Sequence, residues 1–295
     1  MAAKKFTFAQ FKAEYPDDPA CLVAILKRRY QAIDVCPHCG VVGTLSRIEG
    51  RRAFACKEGC HIYPCAGTVF EHSSTSLTLW FHAMYLMTAT RNGVAAKELE
   101  RQLGVTYKCA WRIGHQLRKL MAARDKTNTP AKLSGHVEID ETFVGGKHKG
   151  KNAPRSAGKT TVMGLVQRGG SLKSHVVPDN KKASLLPYVL AEVQPGTTVS
   201  TDQLASYKTL TRHGYQHGVV RHDRQEWVNG VFGTQRIEGF WAHLKGGIRS
   251  THIHVSPQHL QKYVDEFACR YNNRHEPAEM FQRVLAQIAR RYNGG

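Results

Sequence analysis

The chain has 295 residues, enough for one large domain or two to three small ones with ample apolar core. Hydrophobic residues make up 41%, and no apolar run approaches the ~18–20 residues that cross a bilayer. A net charge of +19, from 42 Lys+Arg against 23 Asp+Glu, makes a polyanion the economical partner, with chemistry on DNA or RNA favoured over contact with a membrane. The N-terminal stretch Met1-Ala2-Ala3-Lys4-Lys5-Phe6 lacks the apolar core of a signal peptide, so the expected address is the cytosol.

Residues 1–33 read as an N-terminal helical segment. Phe8, Phe11, Cys21, Leu22, Ile25 and Leu26 recur at helical spacing, and Pro16 and Pro19 break the run. Residues 34–72 are short, Gly-rich and Cys-bearing. Eight cysteines in a cytosolic chain point to metal or core use rather than disulfides. Cys36-Pro37-His38-Cys39-Gly40 is a knuckle that places two thiolates on one tight turn, and Cys56-Lys57-Glu58-Gly59-Cys60 forms a second, one residue longer. Four thiolates suit a closed tetrahedral structural Zn²⁺ site, so this stretch is expected to be a zinc ribbon. The irregular second knuckle leaves His61 and Cys65 as alternative ligands. Cys21, Cys109 and Cys269 stand alone in helical contexts and read as small core residues.

Residues 73–123 carry three helical patterns. The run Ala95–Leu103 ends at Gly104, and Thr106 is placed to cap a following helix from Tyr107 to Met121 that displays Lys108, Arg112, His115, Arg118 and Lys119. Two amphipathic helices joined by Gly104-Val105-Thr106 suit a DNA-reading helix-turn-helix, with Lys108, Arg112, Arg118 and Lys119 as its DNA contacts. An ordinary bundle with a solvated basic face is the competing reading. A polar linker follows at 124–132.

From residue 133 the period changes to that of strands, expected at 136–144, 159–167, 171–178 and 197–201, with helices at about 181–193 and 203–211. Three strands in series, then helix, strand and helix, resemble the order of an RNase H-like α/β domain, a mixed sheet flanked by helices, assigned to 133–255. Asp140 ends the run His136-Val137-Glu138-Ile139-Asp140, Asp202 ends Thr197–Asp202, and Glu238 opens a helical pattern reaching Lys245. Three such carboxylates can converge and hold hard cations, Mg²⁺ or Mn²⁺, that keep positions open for waters and phosphates. Two such ions would suit in-line phosphoryl displacement. Glu138 shares a sheet face with Asp140, whereas Glu141 points to the other; either could stand behind the ligands and support them, and Glu141 is expected to be structural or partly solvated. Between Thr142 and Pro178 there are seven Lys/Arg and no acid. Lys147, Lys149 and Lys151 in the Gly-rich run Gly145–Lys151 are expected to grip DNA, as is Arg249. His222 and Asp223 read as a polar surface loop, and residues 256–295 as a C-terminal helical extension.

These motifs together carry a resemblance. Ala66–Phe70, Gly104–Arg112, Glu138–Lys147, Thr201-Asp202 with Tyr207, Arg236–Trp241 through Lys245, and Tyr263–Arg274 are similar to DDE transposases of bacterial insertion sequences. The likeness is to the group with an N-terminal zinc ribbon and an ISXO-like transposase domain. The resemblance implies that Asp140, Asp202 and Glu238 are the metal-binding triad, with Lys245 two helical turns after Glu238 and able to meet the same phosphate. One departure stands out: relatives often carry Asn three residues before the Glu, some using it as the third ligand, and here that position is Gln235. The resemblance also implies binding to terminal inverted repeats, cleavage, joining of 3′-hydroxyls to target DNA, and a homodimer or larger assembly working on DNA in the bacterial cytosol. The rival readings are a non-catalytic DNA-binding regulator and a structure-selective nuclease of the same fold.

Overall fold

The computed structural model describes residues 6–30, 33–123, 130–146, 158–221, 223 and 228–289. It divides into two units, one formed by the chain up to Ala123 together with the stretch from Glu276 onward, the other by Arg124–His275.

In the first unit, helix α1 (Phe8–Glu14) opens with a capping box in which Thr7 and Gln10 exchange bonds, and α2 (Asp18–Arg29) is capped by Asp17, which accepts from the Ala20 amide at 2.8 Å. Pro16 falls between the two helices and Pro19 lies in the first turn of α2, where a missing N–H costs nothing. Three two-residue strands, β1 (Ser46–Arg47), β2 (Phe54–Ala55) and β3 (His61–Ile62), pair antiparallel in chain order. Helix α3 (Leu77–Ala89) begins where Asp18 accepts from the Leu77 and Thr78 amides, each at 2.9 Å. Helix α4 (Ala96–Leu103) stops at Gly104, whose φ of +63° takes the left-handed conformation that glycine adopts freely. Thr106 then caps α5 (Tyr107–Ala122), accepting from the Cys109 amide. An aromatic core of Phe11, Tyr15, Phe81 and Phe281 joins α1 and α3 to α9 (Met280–Ala286).

The second unit is built on a five-stranded mixed sheet in the order β6-β5-β4-β7-β8. Strands β4 (His136–Val144), β5 (Thr160–Gln167) and β6 (Leu172–Val177) form an antiparallel meander. Helix α6 (Lys182–Glu192) carries the chain over to β7 (Thr198–Thr201), which runs parallel to β4, and β8 (Gln216–Val219) runs parallel to β7. Alternation along the strands sorts two cores. Val137, Ile139, Met163, Leu165 and Val199 pack with Leu185 and Val189 of α6. Val144, Val162 and Val166 pack with α7 (Gln235–Gly247) and α8 (Pro257–Asn272) through Ile237, Trp241, Leu244, Val264 and Phe267. Edge strand β6 has its free groups taken by α8: the Leu172 amide donates to Asn272 at 2.7 Å and the Val176 amide to Gln261 at 2.6 Å.

Three expectations change. The helix expected at 203–211 is two 3₁₀ turns, Ala205–Tyr207 and Leu210–His213, because the first turn is drawn back by Asp202, which accepts from the Leu204 amide, and the second ends at left-handed Gly214. Strand β8 and the hairpin β9 (Val228–Asn229) with β10 (Phe232–Gly233) lie in polar sequence that showed no strand period. The C-terminal helical run is broken after Asn272: α8 packs with the second unit, whereas the residues from Glu276 belong to the first. Among the described residues, no helix is long and apolar enough to cross a membrane.

Candidate functional site

The two knuckles bring Cys36, Cys39, Cys56 and Cys60 together, their sulfurs all within 4.8 Å of one another. Backbone bonds shape each turn. The Gly40 amide donates to the Cys36 carbonyl at 2.9 Å, and the Gly59 amide to the Cys56 carbonyl at 3.0 Å, with both glycines at positive φ. The four thiols cannot ionise independently. Cys36 is held down to about 7, chiefly by a backbone bond from Cys39, whereas bonding to Cys39 and Cys56 pushes Cys60 up to about 12. A cation shared by four thiolates resolves that conflict, and the donor set fits a structural Zn²⁺. Neither alternative ligand joins the group: Cys65 is buried apart from it, its thiol pushed up to about 11 by that burial, and His61 is exposed on β3.

In the second unit Asp140 faces α7, and the charges of Asp202 and Glu238 reach it there. Strand β4 continues four residues beyond Asp140, so this carboxylate sits in mid-strand, where the sheet holds it rigidly. The parallel register pairs His136 with Thr198 and Glu138 with Ser200. Carried two residues further, it sets Asp140 beside Asp202, which directly follows β7. Asp140 Oδ2 accepts from Trp241 Nε1 at 2.9 Å, and Asp202 Oδ1 from the Leu204 amide at 2.9 Å. Glu238, one turn into α7, accepts from Thr234 Oγ1 at 2.8 Å. Burial raises the Asp140 carboxyl to about 6, and the charges of Asp202 and Glu238 add to the rise, so both lie close enough to act on it. They are not collapsed together: among the described residues the four thiols are the only set of three or more such ligands within 4.8 Å.

Lys245 lies on the same helix as Glu238. Burial lowers its ammonium, the Asp140 charge draws it back up, and Arg249 and Lys159 oppose it. Lys245 therefore stands between Asp140 and two further cations, Arg249 and Lys159. Arg249 is exposed and donates to the Lys245 carbonyl at 3.3 Å. Gln235 is exposed and folds back over Gly233.

Sequence reasoning missed four contributors. Trp241 orients Asp140, and Gly164, directly opposite Asp140 on β5, leaves room for the indole. Lys159 is one of the two cations beside Lys245. Glu141, expected to be structural or partly solvated, has one carboxylate oxygen out of solvent contact and without a hydrogen-bond partner. Burial and the charges of Asp140 and Asp202 push its carboxyl up to about 9. The acidic residue next to a strand-borne carboxylate was the available signal for Glu141; the other three depend on tertiary packing.

The basic positions divide. Lys108 and Arg112 are exposed on the first two turns of α5, next to the exposed rings of Tyr107 and Trp111, and Lys119 is half-buried. The Trp111 ring stacks on His115 with centroids 3.8 Å apart. Arg118, expected to face DNA, is only 3% exposed. It folds back over Gly114, where an added Cβ would meet its Nη1 at 3.1 Å, and so belongs to the packed face of α5. Lys147, Lys149, Lys151 and His222 lie outside the described residues, and Asp223 is exposed.

Residues 132–272 match the ISXO2-like transposase domain, and residues 16–62 match the transposase zinc-ribbon domain. A protein of Halobacterium salinarum described as an uncharacterized protein in transposable element ISH50 is 31% identical over 242 residues, covering 76% of this chain and 79% of its own length. An uncharacterized transposase-like protein of Haemophilus influenzae is 29% identical over 103 residues, 33% of this chain and 78% of its own length. The acid-bearing sheet with α7 and α8, and the four-thiol ribbon before it, fall within the two matched stretches, and the chain belongs to the family of ISXO2-like transposases with a transposase zinc ribbon.

Proposed function

We propose that this transposase binds the terminal inverted repeats of its own insertion sequence, cleaves the ends and joins the freed 3′-hydroxyls to target DNA. The observation that carries this reading is the buried Asp140 carboxylate, reached by the charges of Asp202 and Glu238 and itself acting on Lys245. In this reading the second unit is an RNase H-like catalytic domain, and Asp140, Asp202 and Glu238 hold Mg²⁺ or Mn²⁺. Three carboxylates with room between them fit hard cations, and ions bound there would polarise phosphate oxygens and activate the attacking hydroxyl. Trp241, the Leu204 amide and Thr234 fix the orientation of the three carboxylates. Lys245, with Lys159 and Arg249 alongside, binds the DNA phosphate as a set of point charges. Gln235 takes no part, since it is turned over Gly233.

Helices α4 and α5 act as the helix-turn-helix that reads the element ends, with Lys108 and Arg112 facing the groove and Tyr107 and Trp111 supplying apolar contact to base edges. The zinc ribbon contributes to end binding, and Lys147, Lys149 and Lys151 supply further positive charge for DNA phosphates. Two ends are cut and joined together, so a homodimer or larger assembly works on DNA in the cytosol.

The test is a cleavage and strand-transfer assay with Mg²⁺ on duplexes carrying the inverted repeats that flank the reading frame. Asp140→Ala, Asp202→Ala and Glu238→Ala should each abolish both products and leave end binding near normal. Cleavage without any joined product would make the chain a nuclease, and neither product from the wild type would make it a DNA-binding regulator.

A further inference from the structure

Glu138 is a carboxylate that the reaction does not use, and it is 1% exposed on the same strand as Asp140. Burying an ionised carboxylate is costly unless it is fully paired. Here it is. Oε1 accepts from Arg168 Nε at 2.8 Å, and Oε2 accepts from two backbone amides, Arg236 at 2.8 Å and Ile237 at 3.2 Å. Those amides belong to the first turn of α7, among the donors that every helix leaves unsatisfied. The residue that would ordinarily satisfy them makes no cap bond: Thr234 spends its hydroxyl on Glu238 instead. Arg168 completes the tie, donating from Nη1 to the Val231 carbonyl at 2.7 Å and from Nη2 to the Gly233 carbonyl at 3.2 Å. One ion pair therefore fastens the β9–β10 hairpin and the start of α7 to the central strands.

We infer that Glu138 is the cap of α7, supplied from strand β4, and that with Arg168 it acts as a positioning residue for the carboxylate site. Asp140 stands two residues along from Glu138, so a single strand carries one ligand and sets the helix that bears Glu238, Trp241 and Lys245. A negative charge at the positive end of the helix dipole adds to the fit. Freed from Glu138, the first turn of α7 would fray. Glu238 would then lose its fixed distance from Asp140, while Trp241, a turn deeper and packed in the core, would stay. This inference rests on the proposed assignment of Glu238 as a ligand.

The test uses the full-length, zinc-loaded protein with Glu138→Gln, which keeps the shape and one acceptor but removes the charge. Arg168→Gln approaches the same pair from its solvent side should the first variant fail to fold. Two readouts are needed. Amide hydrogen exchange should accelerate at Arg236 and Ile237. Mn²⁺ binding followed by electron paramagnetic resonance should weaken by about tenfold or more, as is usual when the partner that orients a metal-bound side chain is lost. Cleavage should then recover in large part at raised Mn²⁺, a shift in metal requirement that a merely unstable protein does not show. Faster exchange with an unchanged Mn²⁺ curve would overturn the positioning role, as would no change in either. The ligand assignment fails separately: Glu238→Gln with wild-type Mn²⁺ binding removes Glu238 from the site, whatever Glu138 does to the helix.

Discussion

Gly164→Ala adds one methyl group at the point where strand, indole and carboxylate meet. Asp140 and Gly164 are directly paired across β4 and β5. A Cβ at 164 would stand 2.6 Å from Ile237 Cδ1, and 2.7 and 2.8 Å from Cη2 and Cζ2 of Trp241. An unstrained carbon contact is ~3.5–4.0 Å, so the neighbours must retreat by about 1 Å. Ile237 can turn its terminal methyl aside. The indole cannot, since it is rigid, packs beside Phe240 with ring centroids 5.1 Å apart, and is tied to Asp140 by its N–H. Overpacking of this kind costs ~1–3 kcal/mol, and replacing a strand glycine by alanine recovers ~0.5–1 kcal/mol, leaving a net loss of up to about 2.5 kcal/mol. The effect on function should be larger, because misplacing a reacting group by about 1 Å can cost ~100-fold in rate. Urea unfolding followed by far-ultraviolet circular dichroism, paired with an Mg²⁺-dependent cleavage time course on element-end duplexes, measures both. Gly246→Ala on α7 is the control: nothing lies within 4 Å of the added carbon, so it should stabilise the helix by about 1 kcal/mol. A Gly164→Ala protein as stable and as active as wild type would refute the idea that this glycine exists to seat the indole against Asp140.

Three further outcomes are expected. Replacing Cys39 by Ser should release about one zinc per chain, read by elemental analysis, and unfold the ribbon, whose three strands are two residues each and whose folding leans on the metal. In the metal-free protein, Glu141 is a carboxylic acid whose folded-state value is raised from 4.5 to about 9, so the stability of the neutral form is present below about 4.5 and drains away as pH climbs toward 9. Glu141→Gln should therefore flatten the melting temperature across that interval, and a slope equal to wild type would show that the carboxyl ionises freely. On α5 the two arginines should separate cleanly. Arg112→Ala should lower the preference for element ends over random duplex by ~1–3 kcal/mol in competition binding, while Arg118→Ala, removing a buried side chain, should chiefly lower the unfolding midpoint.

What could be read in advance follows from how far each signal travels along the chain. The knuckles are local: Cys36, Cys39, Cys56 and Cys60 needed only two tight turns with glycine behind each, and the cluster forms where the spacing put it. Strand period is nearly as local. Alternation of Val137, Ile139 and Phe143 with Glu138, Asp140 and Thr142 sorted β4 into two faces, and the structure keeps both. The second arginine of α5 shows the same information going unused. At 3.6 residues per turn, six positions separate Arg112 from Arg118 by about 240°, so the two could not have shared a DNA-facing surface. Arg118 instead sits four residues from Gly114, one turn along the packed face. The helix expected at 203–211 fails in the opposite sense: the segment forms 3₁₀ turns, which share the three-residue spacing of a helix face, and the bond from the Leu204 amide to Asp202 competes with a regular first turn. The bonds that tie Asp140 to Trp241 and Glu138 to the start of α7 span 101 and 98 residues. No period within either segment reports them, because they depend on how α7 seats on the sheet, where Gly164 leaves space for Ile237 and Trp241. The residues that bear the chemistry were therefore legible as types at strand and helix positions, whereas the residues that aim them were not, since aiming is a property of the packing between α7 and the sheet.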